Sequence, residues 1–157
     1  MATPTLKLTV GNKVSGMTSE LNSLTSGNLA LSSGVFSNVA GDGGMEGAPR
    51  FRLRYHQAAL AAAPTANTAC DGWFLNSADG VTYETGSGAI VYTPARMVDF
   101  SFPQIASGMA QNIETVVLAP ISSHFKILFR NGTIGQTLAS SANTLDIYPE
   151  TETYPSV

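Results

Sequence analysis

Arg50-Phe51-Arg52-Leu53-Arg54-Tyr55 alternates a cation with a large apolar side chain at every step. A β-strand sorts such a pattern onto two faces, because successive side chains point to opposite sides of the sheet. Arg50, Arg52 and Arg54 share one face; Phe51, Leu53 and Tyr55 share the other. Half-buried strands of this kind belong to antiparallel sheets with one face on a core. The guanidiniums stand about 7 Å apart along the strand and repel unless an anion screens them. A candidate counterpart exists near the C-terminus, where Asp146, Glu150 and Glu152 cluster around Pro149; the arginines are expected either to meet carboxylates of another copy or of a partner protein, or to form a solvated strand face.

Working outward, period-two or apolar runs bounded by turn residues recur about every ten residues. They cover residues 5–10, 73–76, 81–84, 89–93, 98–102, 113–119, 124–130 and 145–148, with shorter apolar pieces at Leu29-Ala30-Leu31 and Val35-Phe36. Asp79-Gly80, Gly86-Ser87-Gly88 and Asn131-Gly132 supply turns. The Ala-rich residues 58–63, stopped by Pro64, are the single helix candidate. These spacings predict an all-β chain, an antiparallel β-sandwich or jelly-roll-like fold with at most one short helix. Residues 1–47 read as an N-terminal strand and an extended Gly/Ser-rich arm with one or two edge strands inside it, 48–149 as the sandwich, and 150–157 as an acidic tail. Arm and tail are expected to reach a neighbouring subunit.

The 157 residues suit one domain. Only 12% are charged and 43% are hydrophobic, with a net charge of −3. That balance argues against a basic nucleic-acid footprint and against intrinsic disorder. No apolar stretch approaches the ~20 residues needed to cross a bilayer, and no secretory leader is visible, so the chain is expected to fold in a reducing cytoplasm. Cys70 is alone and reads as a small buried hydrophobe.

Chemistry-bearing patterns are sparse. His124 lies on a polar strand position, neither it nor His56 is expected to act as a ligand or base, and no nucleophile elbow, paired-histidine zinc motif, P-loop or dinucleotide fingerprint is present. Asp71, Asp79 and Glu84 flank the Trp73 strand and could pair as acids of a β-sandwich hydrolase, but acids beside glycine usually form turns. Asp71, Asn76 and Asp79 offer oxygen ligands at a spacing that matches no calcium loop. No cofactor, metal or enzymatic activity is therefore expected. Trp73, Tyr83 and Tyr92 could stack a sugar on a sheet face; core packing explains the same residues more simply.

One resemblance adds to this reading. It runs through Asp99-Phe100-Ser101-Phe102-Pro103, residues 113–120 and His124-Phe125-Lys126-Ile127-Leu128. It continues through Asn131, Gly135-Gln136, Leu138-Ala139, Asn143-Thr144-Leu145 and Tyr148-Pro149. Over residues 72–149 the chain resembles small virion structural proteins of tailed bacteriophages, of the kind that decorate or cement a capsid or sit at a tail tip. The resemblance implies a non-enzymatic virion protein that binds the major capsid protein or other virion proteins across subunit boundaries. It also implies a homo-oligomer, a trimer foremost, with no nucleic-acid or membrane partner. Contact is then expected at Arg50, Arg52 and Arg54, at Leu29, Leu31, Val35 and Phe36, and at Glu150, Glu152 and Tyr154. A tail-tip or fibre-associated protein, or a carbohydrate-binding module using Trp73, Tyr83 and Tyr92, is the alternative.

Overall fold

A computed structural model describes residues 7–39, 45, 47–84, 93–105, 107–120, 122–132 and 134–153. Ten strands follow one another among the described residues: β1 (Lys7–Val10), β2 (Val14–Met17), β3 (Leu29–Leu31), β4 (Phe36–Ser37), β5 (Arg50–Gln57), β6 (Ala69–Ser77), β7 (Phe100–Pro103), β8 (Gln111–Leu118), β9 (His124–Arg130) and β10 (Thr144–Thr153). One sheet has the order β1-β10-β5-β8, with β2 also on β10; the other has β3-β9-β6-β7, with β4 also on β9. Every pairing is antiparallel. The two sheets pack face to face as a β-sandwich, the fold class expected from the alternation.

The apolar face of β5 supplies Phe51, Leu53 and Tyr55, all fully buried. Facing them are Phe74 of β6, Phe100 and Phe102 of β7, and Phe125, Ile127 and Phe129 of β9. Phe51 meets Phe74 edge-on at 6.0 Å, and Tyr55 lies 5.2 Å from both Phe102 and Phe129. Such tilted and edge-to-face contacts suit aromatic quadrupoles and lock the sheets together. Two glycines make the fit possible. A Cβ on Gly16 would press on the Leu145 carbonyl, and one on Gly72 would occupy the Phe100 ring.

Several expectations need correction. Residues 58–63 form no helix, because their amides are used at long range: Ala58 N–H donates to Asn143 Oδ1 and Leu60 N–H to the Gly108 carbonyl. The helical element among the described residues is a 3-10 turn at Ser19–Leu21. Residues 81–84 are a bend and turn, not a strand, held by Asp79 as described below. Residues 89–92 lie outside the described residues. The arm holds the edge strands expected of it, β3 and β4 on β9, but it is threaded into the sandwich rather than extended, and β2 pairs with β10. The supposed tail begins as the last residues of β10, paired with β1 and β5.

Candidate functional site

The arginines of β5 project onto the outer face of their sheet, between β10 and β8. Register sets Arg50 opposite Glu150, Arg54 opposite Asp146 on β10, and Arg54 opposite Glu114 on β8. Glu150 is 1% exposed and accepts from Arg52 Nε at 2.8 Å, with Arg52 Nη2 at 2.7 Å. Arg50 Nε stands 3.0 Å from its other oxygen but is not aligned to donate a hydrogen bond. Arg50 also reaches Glu152, and Arg52 and Arg54 share Glu114. Arg54 donates to Glu114 at 2.7 Å, and that hydrogen bond holds the Glu114 carboxyl below the usual range. Arg54 further covers the Tyr148 ring at 5.4 Å, and Lys13 lies 3.6 Å from Asp146.

The acidic partners foreseen for the arginines therefore belong to the same chain. A band of four bases and four acids runs across three strands and pairs its charges within the chain. Glu114 was missed because its role depends on β8 lying beside β5, which no local pattern states.

The other expected contact residues divide. Leu29 and Leu31 pack against a second apolar cluster of Trp73, Leu75, Tyr83 and Leu128 on the outside of the other sheet. Phe36 is buried in the main core 5.4 Å from Phe125, whereas Val35 is exposed. Tyr154 and Tyr92 lie outside the described residues. Trp73 and Tyr83 are 2% and 7% exposed, so they present no open stacking platform. Cations cover both rings: Arg130 stands 5.3 Å from Trp73 and Lys126 5.1 Å from Tyr83.

The acids flanking Trp73 serve three separate structures. Asp71 pairs with Arg130 and accepts from Ser101; Glu84 pairs with Arg96 and accepts from Asn76. Asp79 accepts from Ser77 Oγ and from the Val81 and Thr82 amides, which depress its carboxyl well below the usual range. That is a turn-forming role. His56 contacts Asn112, and His124 contacts Ser123. Cys70 is buried, and burial pushes its thiol up to about 12.

What sequence reading did not isolate is an apolar rim. Met97 and Val98 precede β7, Ile105 and Met109 follow it, and Val116 and Leu118 belong to β8; all six are exposed, Met97 at 88% and Leu118 at 82%. Strands β7 and β8 are the edges of their sheets on the same side of the sandwich. Leu118 and Arg96 line one open cavity of about 360 Å³, placing Met97 and Val98 near the end of β8. Exposed apolar residues collected in this way mark contact surfaces more often than isolated ones do.

Among the described residues no helix is long and apolar enough to cross a membrane, and no group of three His, Cys, Asp or Glu is placed to hold a metal. The sequence matches no protein-family model and no curated protein.

Proposed function

We propose that this chain is a non-enzymatic structural protein of a phage particle, a capsid decoration or cement protein bound across capsid subunits. The observation that carries the reading is the apolar rim beside β8 on an otherwise charge-poor sandwich. Burying such a rim contributes about 25 cal/mol per Å² of apolar surface, with few charges to desolvate. The internally paired arginine band leaves little unpaired charge to oppose docking. The resemblance over residues 72–149 supplies the biological setting. A protein that binds only the assembled shell stabilises it by mass action, without chemistry.

The test is to image particles carrying the labelled chain, then strip it and measure heat resistance. The expected result is label on the shell, with stripped particles failing at lower temperature and recovering when the protein is added back. Label at the tail, or none on the particle, would overturn the decoration reading.

A further inference from the structure

Among the described residues, strand β8 is an edge that nothing guards. Native sheets protect edges with short strands, lysine, proline or a covering loop. The other edges here follow that rule. β1 has four residues with Lys7, β7 has four ending in Pro103, and β3 and β4 have three and two. β8 has eight residues, QNIETVVL, with no proline, glycine or lysine.

The direction of its open hydrogen-bonding groups follows from the ladder with β5. Ala119 N–H donates to the Pro49 carbonyl at 3.0 Å, so the alternation of an antiparallel pair turns residues 113, 115 and 117 toward β5. Asn112, Glu114, Val116 and Leu118 then aim their N–H and C=O groups outward, where no backbone partner stands among the described residues. Their side chains do not shield those groups. Asn112 is held by His56 and Glu114 by Arg52 and Arg54, while Val116 and Leu118 are exposed aliphatics.

We infer that β8 pairs antiparallel with β8 of a second copy of this chain, about a two-fold axis at Thr115. This deepens the decoration reading, on which it rests for taking the rim as a contact surface, by naming an occupant of its central strand. The register is selected by charge and by the backbone. With Thr115 on the axis, Glu114 faces Val116 of the other copy and Asn112 faces Leu118, so all four outward residues of each strand find partners. Shifting the register by one step along that edge in one direction sets Glu114 against Glu114, a like-charge pair. Shifting it the other way sets Asn112 against Pro120, which has no N–H to give. On the axis register each Glu114 keeps its own Arg52 and Arg54, so the joint carries no uncompensated charge. The two arginine-bearing sheets become one continuous sheet, with Val116 and Leu118 shielded at the joint.

Sedimentation equilibrium of the purified chain at micromolar concentration tests this. The expected result is a dimer whose dissociation constant rises at least about tenfold in Val116→Pro, a change that removes only an outward N–H and spares the β5 ladder. Should Val116→Pro lose its fold by circular dichroism, Val116→Glu, which sets a second carboxylate against Glu114 of the other copy, gives the same readout. Thr115→Cys should form a covalent dimer on mild oxidation, since the axis places the two residues in a non-hydrogen-bonded pair. A monomeric wild type, a dimer unaffected by both Val116 variants, or no Thr115→Cys cross-link would each overturn the pairing. A monomer that still binds shells leaves the decoration reading standing; a dimer that binds none removes that reading alone.

Discussion

Glu150→Gln removes the anion at the centre of the arginine band while keeping the shape of the side chain. Glu150 is almost fully buried, with Arg52 nitrogens at 2.7 and 2.8 Å and Arg50 Nε at 3.0 Å. Deleting one partner of a fully buried ion pair costs about 3–5 kcal/mol. Here the guanidiniums are about one-third exposed and can turn toward water, so the loss falls to about 2–3 kcal/mol. For a domain of this size that lowers the melting temperature by about 5–10 °C. Glu152→Gln is the internal control. Its carboxylate is itself about one-third exposed and, among the described residues, pairs with Arg50 alone at 3.4 Å, so about 0.5 kcal/mol or less is expected. Urea denaturation followed by circular dichroism measures both. Equal costs for the two variants, or less than about 0.5 kcal/mol for Glu150→Gln, would refute the buried-anchor reasoning.

Further outcomes follow from the same structure. Arg52→Ser combined with Arg54→Ser should lower stability in denaturant titrations of the isolated chain, because the carboxylates they leave behind are its own; an unchanged midpoint would contradict this. Gly72→Ala should cost about 1–3 kcal/mol or more, since the new methyl falls within the Phe100 ring, and a denaturant midpoint within error of wild type would oppose it. Stability should fall as pH drops. Burial works against the charged form of Glu20, but hydrogen bonds from Ser33 and Thr18 outweigh it and lower the carboxyl to about 2. A folded-state value below the unfolded value of 4.5 means the contribution is complete above 4.5 and lost toward about 2. Glu20→Gln should flatten that part of the pH–stability curve, and an identical curve would count against it. Trp73, the single tryptophan, should emit at short wavelength and resist acrylamide quenching; long-wavelength, readily quenched emission would mean an open aromatic face.

The alternation in residues 50–55 was legible because every second side chain is charged and the fold uses that period without interruption. The length of β10 was not, because Pro149 reads as a stop. In the sheet Pro149 turns its carbonyl, and hence its missing N–H, away from β5 and toward the junction of β1 and β2, where Gly11 N–H donates to that carbonyl at 2.7 Å. The proline therefore costs the β5 ladder nothing. β2 was hidden because Gly16 breaks its apolar pattern, and that glycine is required by the nearby Leu145 carbonyl rather than by a turn. Residues 58–63 carry alanine's helix preference, which long-range hydrogen bonds override. The arginine stripe and its acidic counterpart could be read from charge alone, but not that Glu150 meets the arginines within its own chain rather than in another copy. Glu114 and the rim could not, since both depend on which strands become neighbours.

Amide hydrogen exchange resolved along β8 bears most directly on the open edge. In dilute solution the amides of Ile113, Thr115 and Val117 should be protected by β5, while those of Asn112, Glu114, Val116 and Leu118 exchange freely. At high concentration, or on particles, protection should spread to all seven. Uniform protection in dilute solution would show an edge already covered within the chain, and alternation that persists under every condition would show an edge that no partner uses.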